Sequence, residues 1–177
     1  DYPFYKLTSK NIIQKFYVSP QPPKRRPVTV KHVGQSKSMC GPASLKIAFS
    51  AFGKHFTEEE LAQLSGATIE NGTEHEGLIH AATTLGATII AKENGTIEEI
   101  EALVKKGIPV IVGWFAEDED HYGVVVDITP EYVILSDPEW DMPERFIRRG
   151  HFEKVWFDFV EEDNRTTSWK WYMAVQF

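Results

Sequence analysis

The chain of 177 residues contains one cysteine, Cys40. A single cysteine excludes an internal disulfide framework and a cysteine-rich zinc site. The sequence also lacks any run of about 18 or more apolar residues, so it contains no predicted membrane span. Basic residues are few: 19 Lys and Arg against 26 Asp and Glu give a net charge of −7, which argues against nucleic acid or an anionic membrane as the principal partner.

The composition is that of a globular enzyme. Hydrophobic residues make up 42% of the chain and aromatic residues 12%, which is enough for one core. Prolines cluster in residues 20–27, so we predict an N-terminal arm with a proline-rich linker over residues 1–27 and one folded domain over residues 28–177. Because the chain begins at Asp1 rather than Met, the sequence leaves open whether an N-terminal signal or anchor has been removed. The sequence also does not decide between a cytoplasmic and a bacterial extracellular location. It does not indicate the oligomeric state.

Local signals predict helices that precede an antiparallel sheet. Two capping boxes, Thr57 with Glu60 and Thr96 with Glu99, mark the starts of two helices. The remaining predicted elements are helices over residues 40–53 and 74–85 and strands over residues 28–33, 87–91, 109–114, 121–128, 132–135 and 169–177. This order indicates the α+β class.

Cys40 stands at the start of a predicted amphipathic helix. Pro42 suits the first helical turn, and apolar residues follow at i, i+3, i+4 and i+7 from Leu45 onward. A helix N-terminus favours a thiolate through its unpaired N–H groups and its dipole. Gly41 has no side chain, which would let an acyl group approach the thiol. The alternative is that Cys40 is a small buried hydrophobic residue. The neighbouring Gln35 and the Gly-Pro pair favour a nucleophile.

The register of a predicted hairpin brings a histidine and an aspartate together. Two β-rich runs, residues 121–128 and 132–135, flank a turn signal. If the turn is centred on residue 129, His121 and Asp137 are direct cross-strand neighbours, with Cβ atoms roughly 4.5–5.5 Å apart. An imidazole oriented by a carboxylate is the general base that a thiol requires. Taken singly, His121 would be read as a solvent-facing strand residue and Asp137 as a turn residue.

The chain resembles the bacteriocin-processing cysteine peptidases that cut after double-glycine leaders, and above all their stand-alone relatives, the family 39-like cysteine peptidases. The resemblance spans about residues 28–160 and rests on Gln35, Cys40-Gly41-Pro42-Ala43, His121 with the following Tyr-Gly-Val-Val-Val, Asp137-Pro138 and residues 152–156. It implies a papain-like fold with N-terminal helices packed on an antiparallel sheet. Two features depart from the family pattern: Met39 stands where an acidic or polar residue is usual, and Gln35 is about one residue closer to the cysteine.

The resemblance also implies roles for four residues. Cys40 is the nucleophile and His121 the base. Asp137 orients the base, and the Gln35 amide helps the backbone bind the oxyanion. A loop residue that caps the following turn is an equally good interpretation of Gln35. We therefore predict a cysteine-type hydrolase that cleaves a peptide or protein substrate without a metal or other cofactor. Three alternative functions stay open: a transpeptidase, a small-peptide acyltransferase like the related phytochelatin synthases, and a non-catalytic peptide-binding module.

Three further clusters have weaker interpretations. The four acidic residues 117–120 would raise the pKa of His121, would favour cationic groups near the cleft and are a natural place for a mobile lid, although most such runs are solvated loops. His75 and His80 do not share a helix face, so we reject them as metal ligands. Trp140 is expected to be a buried aromatic anchor rather than a wall of the acyl site, and residues 146–156 are expected to belong to the core.

Overall fold

Helices cluster early and strands late in the protein. The computed structural model describes residues 25–160 and 166–177, so most of the predicted N-terminal arm lies outside the described residues. The helices are α1 (Cys40–Ser50), α2 (Glu58–Ser65), α3 (His75–Thr84), α4 (Ile97–Lys105) and α5 (Arg149–Val155). The strands are β1 (Thr88–Lys92), β2 (Val110–Ala116), β3 (Glu119–Ile128), β4 (Tyr132–Ser136), β5 (Arg145–Arg148), β6 (Phe157–Phe159), β7 (Thr167–Trp169) and β8 (Tyr172–Gln176). Within these ranges, none of the helices has the length and apolarity that a membrane crossing requires.

Helices α2 and α4 begin at the two predicted capping boxes. The Thr57 hydroxyl accepts from the N–H of Glu60, and the Glu60 carboxylate accepts from the N–H of Thr57. Thr96 and Glu99 form the same reciprocal pair. Gly66 ends α2 with a φ of 68°, a left-handed conformation that glycine adopts without steric cost.

Six of the strands form one antiparallel sheet with a core on each face. The strand order is β1-β8-β2-β3-β4-β5, and β6 pairs with β7 in a separate ribbon. Helices α1, α2 and α3 share a buried cluster with Ile111 of β2, whereas α4 and α5 share a second cluster with Val110 and Val112. Alternate residues of β2 thus face opposite cores. The predicted α+β class is confirmed.

The hairpin of β3 and β4 differs from its predicted register. The N–H of Thr129 donates to the carbonyl of Tyr132 at 2.9 Å, and the strand pairing places the centre of the turn between residues 130 and 131 rather than on 129. A β-bulge within β3 then moves the pairing back by one residue, so that Val124 lies opposite Ser136 and the register still differs from the predicted one. His121 and Asp137 are therefore not direct cross-strand partners, and this part of the prediction is wrong.

Two smaller predictions are also wrong. Residues 28–33 form no strand, although the N–H of Val28 donates to the carbonyl of Val126 at 3.3 Å. Phe146, predicted to lie in the core, is 50% exposed. Of the exposed acidic residues 117–120, the first two form the turn between β2 and β3, and the last two belong to β3.

The end of the predicted linker is attached to the domain. Arg26 donates through Nε to Glu144 at 2.8 Å and through Nη1 to Asp127 at 3.1 Å. The guanidinium also lies over the ring of Phe146, 5.5 Å from its centroid. This basic residue is thus paired with carboxylates of the domain.

Candidate active site

Cys40 is the first residue of α1 and is half-buried. Met39, the residue before the helix, provides no side-chain cap, and Pro42 has no N–H. In the described part of the chain, the N–H groups of the first turn are thus left without a capping side chain. Together with the helix dipole they favour negative charge at this end of α1, where the sulfur lies.

Gly41 is packed too closely against neighbouring residues to carry a side chain. A Cβ atom at this position would lie 2.6 Å from Oγ1 and 2.8 Å from Cβ of Thr73, and 3.2 Å from Cδ2 of Leu78. The absent side chain therefore makes room for the segment before α3 and for α3 itself. It sets the position of the first turn of α1, and with it the position of Cys40.

The structure brings His121 and Asp137 into direct contact. Nε2 of His121 lies 2.5 Å from Oδ1 of Asp137, and the two side chains are 2% and 0% exposed. Asp137 follows Ser136, which pairs with Val124 at the last point where the two strands are joined. His121 lies three residues before Val124 on β3. The side chains of His121 and Asp137 therefore meet diagonally, at the end of the hairpin where the two strands separate.

The charge of His121 is set by its two partners. Burial lowers the pKa of this imidazole, but hydrogen bonds with Asp137 and Cys40 outweigh burial and raise the pKa from 6.5 to about 10. Since Nε2 binds Asp137, Nδ1 is the nitrogen left for the Cys40 thiol. Oε2 of Glu139 lies 3.7 Å from the same nitrogen, and the edge of the Trp114 ring packs against the imidazole with centroids 6.0 Å apart.

Three donors hold the carboxylate of Asp137. Oδ1 accepts from His121 and from the N–H of Glu139 at 3.0 Å, and Oδ2 accepts from Nη1 of Arg145 at 2.8 Å. Burial raises the pKa of Asp137, but these hydrogen bonds hold the pKa below its ordinary value. Sequence reasoning did not find Arg145. The feature that reveals Arg145 is the pairing of β5 with β4. This pairing places Arg145 opposite Leu135, and Leu135 is two residues before Asp137 in the sequence.

Gln35 lies beside the segment that carries Asp137. Its N–H donates to the carbonyl of Pro138 at 3.0 Å. Its side-chain oxygen is buried and has no hydrogen-bond partner among the described residues. A half-turn of the terminal amide exchanges that oxygen for the NH₂ group. Gln35 therefore has an amide with unused hydrogen-bonding capacity close to the site.

The two histidines of α3 have different surroundings. His75 is buried and bonds through Nε2 to Oδ2 of Asp158 at 2.6 Å, whereas His80 is exposed. Across the described ranges, no group of three or more His, Cys, Asp or Glu side chains is arranged to hold a metal ion. A thiol, a buried imidazole and a buried carboxylate together can carry out nucleophilic attack on a carbonyl and proton transfer.

Trp140 is not the buried anchor that we expected. It is 41% exposed and covers the guanidinium of Arg145, whose central carbon lies 4.7 Å from the ring centroid. The same guanidinium also lies over the ring of Trp114, with its central carbon 5.0 Å from the ring centroid. All three residues line a cavity of about 550 Å³. The indole therefore shields Arg145 from solvent.

Comparison with known sequences identifies a family and two relatives. The model of the peptidase C39 family matches residues 29–161. An uncharacterized protein of Methanothermobacter marburgensis is 37% identical over 116 residues, which cover 66% of this chain and 75% of that protein. The pediocin PA-1 transport/processing ATP-binding protein PedD of Pediococcus acidilactici is 30% identical over 120 residues, 66% of this chain but only 16% of that protein.

Comparison with solved structures identifies the fold. The peptidase domain of Streptococcus ComA, a bi-functional ABC transporter, superposes with a TM-score of 0.66 at 21% identity, covering 82% of this chain and 97% of that domain. A double glycine motif protease from an AMS/PCAT transporter, solved with a leader peptide, superposes with a TM-score of 0.64 at 19% identity, covering 87% and 95%. The predicted papain-like arrangement of helices on an antiparallel sheet is confirmed.

Proposed function

This chain belongs to the peptidase C39 family, and we propose that it hydrolyses peptide bonds with Cys40 as nucleophile, His121 as general base and Asp137 as the group that orients the base. A cysteine peptidase-like function follows from the family. The observation that supports the finer proposal is the bond between Nε2 of His121 and the Asp137 carboxylate at 2.5 Å, which leaves Nδ1 for the thiol.

The proposed reaction has two stages. In the first, the Cys40 sulfur bonds to the carbonyl carbon, the C–N bond breaks, and His121 gives its proton to the leaving amine. In the second, His121 removes a proton from water and the oxygen of that water displaces the sulfur, which restores the thiolate of Cys40 and the imidazolium of His121. Asp137 keeps the imidazole in one orientation and stabilises its positive charge throughout.

The oxyanion of each tetrahedral intermediate needs hydrogen-bond donors. The uncapped first turn of α1 offers the N–H of Cys40, and the free amide of Gln35 offers a second donor. These two groups come from either side of the same short loop, residues 35–40. Gln35 is therefore the residue that we propose to complete the oxyanion hole.

The substrate that we propose is a peptide or protein. The AMS/PCAT protease of the same fold was solved with a leader peptide, and the site here needs only an accessible amide carbonyl. Nothing in the arrangement of Cys40 and His121 requires a double-glycine sequence.

A cleavage experiment in H₂¹⁸O tests the proposal. The protein is incubated with a peptide library, and the products are compared with those of the Cys40→Ala variant by mass spectrometry. Hydrolysis predicts new carboxyl termini that carry ¹⁸O and are absent with the variant. Products joined to an added amine would indicate a transpeptidase instead, and cleavage that persists in Cys40→Ala would refute the role of Cys40.

Alkylation of Cys40 separates an enzyme from a binding module. An ion pair of thiolate and imidazolium predicts stoichiometric labelling by iodoacetamide at about pH 6. The His121→Ala variant should lose that labelling while the fold is retained. Labelling of the wild-type protein only above about pH 8 would favour a non-catalytic protein.

A further inference from the structure

A small cavity lies beside the proposed nucleophile, and no step of the mechanism uses it. Its volume is about 100 Å³, and both Cys40 and His121 contribute to its wall. The rest of the wall comes from the segment leading into α3, from the start of β3 and from the end of β6. A cavity of this size has room for a group of a few heavy atoms rather than for a large side chain.

Asp158 provides the wall of this cavity with a carboxylate that lacks a full set of partners. The residue is 5% exposed, and Oδ2 accepts from His75 at 2.6 Å. The ring of His75 stacks on Trp171 with centroids 4.0 Å apart, which fixes the direction of that bond. Oδ1 is buried and has no hydrogen-bond partner in the described part of the chain. Buried carboxylate oxygens are almost always paired, so this oxygen indicates a donor that a ligand supplies.

A second carboxylate stands next to Asp158. Oδ1 of Asp120 accepts from the N–H of Phe159 at 3.0 Å, which ties the start of β3 to the end of β6. Burial raises the pKa of Asp120, the Phe159 N–H opposes the rise, and the charge of Asp158 adds to it. Two neighbouring carboxylates repel each other, and a cation between them would relieve that repulsion.

The charge around the cavity favours a cation. Glu74, Asp120 and Asp158 all line it, against the single imidazole of His75 beyond the catalytic pair. An organic cation suits the site better than a metal ion, because the described residues contain no group of three metal-ligating side chains. Ammonium and guanidinium groups carry N–H donors that a carboxylate oxygen can accept.

We propose that this cavity binds a cationic group of the substrate close to the scissile bond, either the charged end of a Lys or Arg side chain or the N-terminal ammonium of a short peptide. Oδ1 of Asp158 accepts a hydrogen bond from the cation, and Asp120 supplies a second negative charge. The inference rests on the proposed function, since it takes Cys40 as the atom that attacks the substrate.

Charged thiol reagents test the cavity without requiring peptide cleavage. The rate of Cys40 modification is measured with 2-aminoethyl methanethiosulfonate, which is cationic, and with neutral methyl methanethiosulfonate. Each forms a disulfide with the sulfur and releases methanesulfinate. We expect the ratio of cationic to neutral rates to fall about fivefold or more in Asp158→Asn. Cys40→Ala gives the background rate.

Matched controls separate the cavity from the net charge of the protein. Glu131→Gln removes one charge at the opposite end of the β3–β4 hairpin, about 20 Å or more from His121 at about 3.3 Å per residue, and should leave the ratio unchanged. Thermal melting checks that each variant is folded. If Asp158→Asn does not fold, the Asp120→Asn variant carries the test. Equal ratios in the wild type and the cavity variants, or an equal fall in Glu131→Gln, would overturn the proposal.

Peptide substrates identify the source of the cation. Cleavage rates are compared for peptides with Lys or norleucine near the scissile bond and with free or acetylated N-termini. A preference for one cation that is lost in Asp158→Asn supports the cavity and shows which source fits. Cleavage without any such preference would refute the proposed binding of a cation in the cavity, but it would be consistent with the proposed peptidase activity. If the protein cleaves none of the peptides but the ratio of cationic to neutral modification rates still depends on Asp158, the proposed peptidase activity is refuted. The proposed cation-binding role of the cavity is then retained.

Discussion

Arg145 and His121 bind opposite oxygens of the same carboxylate, that of Asp137. Nη1 of Arg145 lies 2.8 Å from Oδ2, and Nε2 of His121 lies 2.5 Å from Oδ1. The guanidinium contacts the rings of both Trp114 and Trp140, with its central carbon 5.0 Å and 4.7 Å from the two centroids. The carboxylate is thereby fixed from both sides, and it stays ionised because both contacts lower its pKa.

Replacing Arg145 should slow the proposed reaction more than it weakens substrate binding. Without the guanidinium, Asp137 is held less firmly and its pKa rises, so it stabilises the imidazolium of His121 less well. We expect kcat of Arg145→Met to fall about ten- to hundredfold, the value of a hydrogen bond to a charged group, with a small change in KM. Arg145→Lys should restore part of the rate.

The control for Arg145 is its neighbour Arg148 on the same strand. Its central carbon lies over the ring of Tyr132 at 5.7 Å, and Arg148→Met should retain kcat. The pH dependence of kcat gives a second readout, since a purely structural loss would lower the rate without moving the profile. An Arg145→Met enzyme with full kcat would show that Asp137 needs no support from this side.

The stability contributed by His121 should decline as the pH rises. The pKa of this residue is raised from 6.5 to about 10, so folding favours the protonated imidazole. The stabilisation is complete below the unfolded value and is lost as the pH passes through the folded value. Urea unfolding at about pH 6, 8 and 10 should therefore show a shrinking difference in free energy of unfolding between the wild type and His121→Gln.

Exposed His80 provides the comparison for this titration. His80→Gln should differ from the wild type by a small amount that does not follow the same pH trend. A difference between the wild type and His121→Gln that grows from pH 6 to pH 10 would contradict the sign of the shift.

Gln35→Ala tests the proposed oxyanion hole. Loss of one oxyanion donor commonly lowers turnover by about 10²–10³, and we expect a fall of that size in kcat with no loss of iodoacetamide labelling of Cys40. Ser36→Ala is the matched control, because Ser36 bonds through its backbone: its N–H donates to Glu58 and its carbonyl accepts from the N–H of Met39. Retained kcat in Gln35→Ala would exclude its amide from catalysis.

Elements defined by near neighbours could be predicted from the sequence. The capping boxes at Thr57 and Thr96 and the helix that starts at Cys40 depend on contacts within a few residues. The contact between His121 and Asp137 was predicted, but the strand register from which it was predicted is incorrect. The turn centre and the β-bulge are decided by how the whole of β3 packs between two cores, which no local signal reports.

Long-range partners could not be predicted in the same way. His75 and Asp158 are 83 residues apart, and Asp158 lies in a three-residue strand between two phenylalanines, where it reads as an ordinary alternating polar residue. Arg145 likewise becomes visible only once β5 is paired with β4. The sequence therefore indicated the residues that we propose as reactive groups, but not Arg145 or the pair of His75 and Asp158 beside them.

Gly41→Ala should destabilise the protein and displace the nucleophile. The added methyl group would meet Oγ1 and Cβ of Thr73 at 2.6 Å and 2.8 Å, so α1 or the segment before α3 must move. Overpacking of this kind costs about 1–3 kcal/mol, and Cys40, one residue away, should lose its alignment with His121. Gly150→Ala is the control, because the residue is helical and, apart from its chain neighbours and the backbone of its own helix, no atom of the described residues lies within 4 Å of the added Cβ. That variant should be neutral or stabilised by up to about 1 kcal/mol. Equal melting temperatures for the two variants would show that the contact with Thr73 does not limit the position of α1.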